Sequence, residues 1–375
     1  MRVQSGHPWI FSSDVLDRGG AHPGDAVRVV DPSGKNLGTA HYSSTSQITL
    51  RLLSTRIEAI DRSFLSRRIE QAESYRRSVV RDSEAYRLIH AEGDLLPGLI
   101  IDRYGAYFVL QLLDQGMDHL SPEIVTTLEE LFTPAGIIAR NDASTRSKES
   151  LPEETKVLAG EIPERVTVQM NGFSWQADLV HGQKTGVFLD QRENYLSVAR
   201  YAHGRALDCF TATGGFALHL ARACESVEAA DSSAPTLDIA RANARQNGID
   251  NIDFQRADVL DLLPNLVSAR RQYDIVVVDP PAFAKSRTGL EGAVRGYKEI
   301  NLRALRLLQP GGILVSCSCS HHITEAQLLG IIAAAALDTG KQLRVLERRT
   351  QSQDHPILLT VPETHYLKCL VFQVM

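Results

Sequence analysis

Four carboxylates, a glycine pair and a tight group of thiols and imidazoles are the residues of this chain best suited to chemistry. The stretch RALDCFTATGGF, Arg205 to Phe216, is a short apolar run that ends on Asp208 and falls into a Thr/Gly loop ahead of the helix-forming ALHLARA. Glycines such as Gly214 and Gly215 let a backbone approach a ligand closely, and a helix N-terminus behind them offers free N–H groups to a carboxylate or phosphate. Glycine turns also follow strands for packing alone, and the three-glycine dinucleotide fingerprint is absent. Three more acids follow at α/β spacing: Asp231 closes SVEAAD, Asp258 closes IDFQRADV, and Asp279 lies in YDIVVVDPPAF. Ligands of open parallel sheets bind beyond the carboxyl ends of the strands, so all four acids are expected to face one crevice, with Asp231 placed to bind both hydroxyls of a ribose. Capping of the following helix is the competing role for each. In ILVSCSCSHH, Cys317 and Cys319 precede His321 and His322 at the end of another apolar run. A thiol there can serve as a nucleophile or as a small core residue. Zinc binding is the third role, but residues so tightly spaced rarely wrap one tetrahedral ion, and no metal is expected.

The elements that must hold these groups alternate strand and helix. Ser233 with Pro235 starts a helix in which Leu237, Ala240 and Ala244 recur at helical spacing up to the Asn247-Gly248 stop. Upstream, HGQKTGVFLDQREN is a polar loop leading into the helical ENYLSVARYA, with Asp190 as one possible cap. Further back, residues from Pro8 to about Arg56 read as short strands: VRVVD, a DPSGK turn, LGTAHY and the alternating QITLRLL, a set that closes into a small barrel. Arg56 to Arg81 reads as one amphipathic helix linking two domains, with Ile57, Ile60, Phe64, Ile69, Ala72 and Val79 opposite Arg62, Arg67, Arg68, Arg76 and Arg77. The arginines suit either RNA phosphates or solvent. A second small module follows, strand, strand, helix, strand, then a hairpin at Asn171-Gly172. The loop Asn141 to Glu161 is polar and is expected to be mobile.

The chain's 375 residues, 43% hydrophobic and 23% charged, suit two or three globular domains. Met1 to Ser13 lacks the apolar centre of a signal peptide, and no run approaches the ~20 apolar residues of a membrane helix, so a cytoplasmic protein without membrane contact is expected. Five widely spaced cysteines argue for reduced thiols. The net charge of −5 is uneven: through Arg81 there are 12 Lys/Arg against 8 Asp/Glu, and a modest basic footprint there is compatible with RNA.

A glycine loop after strand one, acids ending strands two and three, and DPPxF ending strand four resemble the class I S-adenosylmethionine-dependent methyltransferases. A nicotinamide dehydrogenase would have no use for the last two. Taken whole, GHPWIF, EGDLLPGLIIDRY, QKTGVFLDQREN, DCFTATGGFALHLA, DPPAFAKS, RGYKEIN, PGGILVSCSCSHH and DHPILLTVPETHYLK resemble the PUA-containing family of 23S ribosomal RNA methyltransferases, whose characterised members make 5-methylcytosine. The resemblance spans nearly the whole chain. It implies a multidomain α/β protein: a PUA-like RNA-binding β-barrel over residues 1–56, a linker helix over 57–81, a small α+β middle domain over 82–178 and a Rossmann-like class I methyltransferase domain over 179–375. Family members usually carry a strand before GHPWIF, so the expectation is either a truncated barrel or a start placed too far downstream. A homodimer acting on 23S rRNA or a pre-ribosomal particle is also implied.

The same resemblance implies site roles. S-adenosylmethionine would be bound by Asp208, Gly214, Gly215, Asp231, Asp258 and Asp279, with Lys184 and Arg192 on its carboxylate. Carbon-5 of cytosine is a poor nucleophile, so its methylation needs a thiolate that adds to carbon-6. The family's SCS pattern aligns with Ser318-Cys319-Ser320, which makes Cys319 the nucleophile and leaves Cys317 in reserve. Asp279 would hold the flipped base, with Pro280, Pro281 and Phe283 lining its pocket. Two alternatives stay open: N-methylation of an rRNA base, such as guanine-N7, through DPPAF, and a non-catalytic RNA-binding assembly factor with a vestigial cofactor site.

Overall fold

The computed structural model describes residues 2–182, 185–283 and 289–375. They form two compact units, and the chain passes between them more than once. The first unit comprises Met1–Gly172, Ala177–Leu189 and Gln353–Thr364; the second comprises Phe173–Gln176, Asp190–Ser352 and His365–Met375.

The first unit opens with strands β1 (Trp9–Phe11), β2 (Ala26–Val30), β3 (Asn36–Tyr42) and β4 (Ile48–Ser54), all antiparallel in the order β1-β4-β3-β2. Their alternation turns Ile10, Val29, Ala40, Tyr42, Leu50 and Leu52 into one small core. Helix α1 (Arg62–Val79) begins later than the apolar periodicity suggests. The cause is Asp61, whose carboxylate accepts the Phe64 N–H at 3.0 Å and caps the first turn. Phe64, Leu65, Ile69 and Ala72 are buried in a core shared with a five-stranded sheet, so α1 packs as part of this unit.

Arg76 corrects the expected arginine face: it is 1% exposed, pairs with both carboxylate oxygens of Asp94, and donates to the carbonyls of Arg87 at 2.8 Å and Asp354 at 2.9 Å. The sheet consists of β5 (Ala85–His90), β6 (Leu99–Tyr104), β7 (Tyr107–Leu112), β8 (Gly136–Asn141) and β9 (Glu154–Gly160) in chain order. Only β7 and β8 are parallel, joined through α2 (Gln115–His119) and α3 (Ser121–Phe132).

The segment 141–161, expected to be a mobile loop, is a correction too. It holds a short 3₁₀ turn at Ser144–Glu149 and then β9. Two buried charges fix it: Arg146 donates to the carbonyls of Leu112 and Pro152, and Glu149 accepts from Ser43 at 2.6 Å and Arg51 at 2.7 Å. After β10 (Val166–Met170) the chain turns at Asn171 and Gly172, both at positive φ (57° and 70°) as a two-residue hairpin turn requires, into β11 (Phe173–Ala177).

The second unit is a doubly wound α/β fold. Helix α4 (Arg192–Ala199) leads into β12 (Arg205–Cys209), α5 (Gly215–Ala221), β13 (Ser226–Asp231), α6 (Ala234–Gln246), β14 (Ile252–Arg256), α7 (Val259–Ser268), β15 (Tyr273–Val278), α8 (Leu290–Leu307) and β16 (Leu308–Ser318). Helix α9 (Glu325–Asp338), β17 (Leu343–Arg349) and β18 (Lys368–Val374) complete it. The seven strands lie in the order β14-β13-β12-β15-β16-β18-β17. The first five are parallel; β18 runs antiparallel between β16 and β17. Chain order reverses direction between β12 and β15, which is where such sheets open a crevice at the strands' carboxyl ends.

Candidate active site

That crevice is where the acids gather. Asp208, near the end of β12, is fully buried; its Oδ2 accepts from Thr211 Oγ1 at 2.6 Å and from the Ala217 N–H at 3.0 Å. Its Oδ1 is buried and accepts no hydrogen bond among the described residues. Burial, reinforced by the carboxylates of Asp279 and Asp231, pushes the Asp208 carboxyl up to about 7 against the pull of its two donors. Asp231 ends β13 and accepts the N–H groups of Ala212 at 3.0 Å and Ser233 at 2.9 Å. Asp279 follows β15, and its Oδ2 accepts from Gln191 Nε2 at 2.9 Å. Asp258, exposed, caps α7 by accepting the Leu260 N–H at 2.8 Å.

The two glycines of the loop differ in kind. Gly214 sits at φ +91°, a left-handed conformation that side chains avoid. Gly215 is demanded by packing, since a Cβ there would lie 2.3 Å from Cζ of Tyr195. Tyr195 is a site residue that sequence reasoning missed. Burial first, then the charges of Asp279, Asp190 and Asp208, push its phenol well above the usual range. Gln191 reads in the sequence only as part of a polar loop, yet it is 1% exposed and bridges Asp279 to Asn194, whose Nδ2 donates to Gln191 Oε1 at 2.6 Å. No periodicity marks either residue; their roles arise where separate elements meet. The N-cap position of α4 is Gln191 rather than Asp190, whose Oδ2 accepts from the Tyr366 hydroxyl at 2.8 Å. Arg192 is the first residue of α4 and buried, with Nη2 at 3.6 Å from Glu193. Lys184 lies outside the described residues.

All five cysteines are free, and Cys319 alone is not buried. It follows the last residue of β16, whereas Cys317 faces Cys369 across the β16–β18 ladder. Burial, with Cys369 and Asp279 alongside, pushes the Cys317 thiol well up, and burial does the same for Cys209. A buried, protonated thiol is a poor nucleophile; among the five, only Cys319 has access. Phe283 packs on Tyr297 at 4.9 Å between ring centroids, Pro280 is buried and Pro281 exposed. His321 lies 5.7 Å from the Tyr366 ring.

Residues 87–373 match the model of an S-adenosylmethionine-dependent methyltransferase family, and residues 1–55 match a PUA-like domain. The chain belongs to this methyltransferase family. A protein of Klebsiella pneumoniae (strain 342) named Ribosomal RNA large subunit methyltransferase I is 41% identical over 378 residues, covering 98% of this chain and 94% of that protein. A solved structure assigned as a SAM-dependent methyltransferase from Streptococcus mutans superposes with a TM-score of 0.85 at 21% identity, covering 100% of this chain and 97% of that one. A methyltransferase solved in complex with SAH gives 0.86 at 20% identity, with the same coverage. At those identities the two structures speak to the fold.

S-adenosylmethionine fits what the methyltransferase unit presents. It is a cation rich in donors, and the crevice offers a concentration of carboxylates, one with a buried oxygen that no donor among the described residues satisfies. Asp190 belongs with those acids by its effect on Tyr195, which no sequence motif disclosed.

Proposed function

We propose that this protein methylates carbon-5 of a cytosine in large-subunit ribosomal RNA, using Cys319 as the nucleophile. The observation that carries this reading is a single accessible thiol at the carboxyl end of β16, on the same sheet edge as Asp208, Asp231 and Asp279. The PUA-like domain and the name of the Klebsiella pneumoniae relative support RNA as substrate.

When bound, S-adenosylmethionine supplies an electrophilic methyl group. Asp208, Asp231 and Asp258 would hold it, with Lys184 and Arg192 on its carboxylate and Gly214 and Gly215 shaping the loop. The chain's own part in the chemistry is to make carbon-5 nucleophilic. The Cys319 thiolate adds to carbon-6 of the base, and the ring electrons move towards carbon-5. Asp279, steadied by Gln191, holds the extruded base by hydrogen bonds, with Phe283 and the two prolines against its face. After methylation, loss of the carbon-5 proton expels Cys319 as thiolate and restores the ring. A homodimer is part of the proposal and is read by light scattering. No helix among the described residues is long and apolar enough to cross a membrane.

The test is mass spectrometry of rRNA nucleosides from a strain lacking the protein, complemented with wild type, Cys319→Ala or Cys317→Ala. The expected result is loss of one 5-methylcytosine, restored by wild type and Cys317→Ala but not by Cys319→Ala. A lost methylguanine or methyladenine, or rescue by Cys319→Ala, would replace the thiol mechanism with N-methylation through DPPAF.

A further inference from the structure

The residues on either side of Cys319 are held in an unusual way. Ser318 Oγ donates to the Tyr297 hydroxyl at 2.9 Å, the same hydroxyl lies 3.1 Å from Ser320 Oγ, and the Ser320 N–H returns to Ser318 Oγ at 3.3 Å. Both serines are buried and turned towards α8, while the cysteine between them stays accessible. From the other side comes Lys368, the first residue of β18, registered opposite Ser318 and 3% exposed. Its Nζ donates to the carbonyl of Ser320 at 2.7 Å and to that of Tyr366 at 2.8 Å.

Those two acceptors are neutral, and among the described residues no carboxylate oxygen lies within ion-pairing distance of Lys368. A buried ammonium without a counter-ion is expensive. Two ionisable groups act on it electrostatically: Cys319, at the end of β16, and Glu325, in the first turn of α9, which is itself paired with Arg348. Tyr297 is the titratable group contributed by α8, and burial raises its phenol, which keeps it neutral. His321 and His322 follow in the chain, and the His321 ring lies tilted against that of Tyr366 at 5.7 Å between centroids.

Taking Cys319 as the nucleophile of the proposed reaction, on which this rests, we propose that Lys368 is a positioning residue that clamps the Cys319 turn and serves as counter-ion to its thiolate. The ammonium keeps its proton throughout: the thiol proton goes to solvent before addition, and sulfur returns to the same field as the thiolate that leaves. Burial pulls the ammonium down to about 8, and Cys319 works against that fall; by reciprocity the ammonium favours the Cys319 thiolate. The serines of the SCS pattern then have a mechanical role, anchoring the turn on Tyr297 so that only sulfur faces the crevice.

The experiment is the pH dependence of iodoacetamide alkylation of Cys319 in the full-length protein, localised by peptide fragmentation, for wild type, Lys368→Met, Lys368→Arg and Tyr297→Phe. Wild type should show an apparent thiol pKa below the usual ~8.5. Lys368→Met should raise it by about one unit, a tenfold loss of rate at pH 7. The rate at pH 10 should stay within twofold of wild type, and Lys368→Arg should stay close to wild type at every pH. Tyr297→Phe should leave the thiol pKa alone and lower the methylation rate. A wild-type thiol pKa of 9 or more overturns the proposal whether or not any variant folds, and so does a Lys368→Met profile that overlays wild type or is depressed equally at pH 7 and pH 10. Failure of the nucleophile reading is seen separately, as methylation surviving in Cys319→Ala, which the alkylation curves do not affect.

Discussion

Replacing Asp208 by Asn separates the two contributions that this side chain makes. Its carboxyl is displaced from 3.8 to about 7, so between those pH values the folded protein holds a proton that the unfolded chain has released. Stability therefore falls as pH rises through that window and is flat above it. Three units at about 1.36 kcal/mol each amount to a loss on the order of 4 kcal/mol by pH 8. Asn abolishes that loss and keeps an oxygen for Thr211 and Ala217, but places a buried amide N–H₂ where Oδ1 has no partner, at a cost of about 1 to 3 kcal/mol. The variant without cofactor should thus be about 1 to 3 kcal/mol more stable than wild type at pH 8, and equal or slightly weaker at pH 5. Calorimetric melting at pH 5, 6.5 and 8 reads this as curves that cross. S-adenosylmethionine donors on Oδ1 would select the carboxylate, so wild-type affinity should fall about tenfold between pH 8 and pH 6 by titration calorimetry. Parallel melting curves, or an affinity flat across that range, would refute the placement of an unsatisfied, half-protonated carboxyl at this strand end.

Gly215→Ala should destabilise the methyltransferase unit by roughly 1 to 3 kcal/mol, because its methyl meets the Tyr195 ring, which is hemmed in by Phe216 and His219. Adding Tyr195→Ala should cost less than the sum of the two single changes, a coupling that a double-mutant cycle measures by thermal melting. Arg76→Met leaves Asp94 buried without its cation and should cost about 3 to 5 kcal/mol. Since Arg76 also binds the Asp354 carbonyl, hydrogen exchange over Gln353–Thr364 should accelerate; unchanged protection there would sink that account.

The sheet of the methyltransferase unit was legible in the sequence because its central strands β12, β15 and β16 are largely buried on both faces and read as apolar runs between helical periods. Asp208, Asp231 and Asp279 were legible for the same reason, as the acids that close apolar stretches. What periodicity could not convey is which buried polar side chains meet. Gln191, Tyr195, Tyr297 and Lys368 each sit within an element whose pattern explains the element but not the partner on another. Arg76 and Arg146 show the limit most clearly: a charge that falls on the polar side of a helix, or in a polar loop, reads as solvated, and only distant carbonyls and carboxylates reveal it as core. The C-terminal run KCLVFQVM is apolar whichever way it runs, so its antiparallel insertion between β16 and β17 left no mark in composition.

The return of Gln353–Thr364 to the first unit sets a schedule for biosynthesis. Arg76 and Asp94 are made early, but the Asp354 carbonyl and carboxylate that accept from Arg76 and from the Arg87 N–H come 260 residues after Asp94 (354 − 94). At roughly 5 to 20 residues per second, that is about 13 to 52 seconds during which the amino-terminal half waits with buried charges incompletely satisfied. A message truncated anywhere before codon 353 would yield an unfinished first unit as well as an unfinished second one. The two units are thus born as a single obligation, and quality control that senses either senses both.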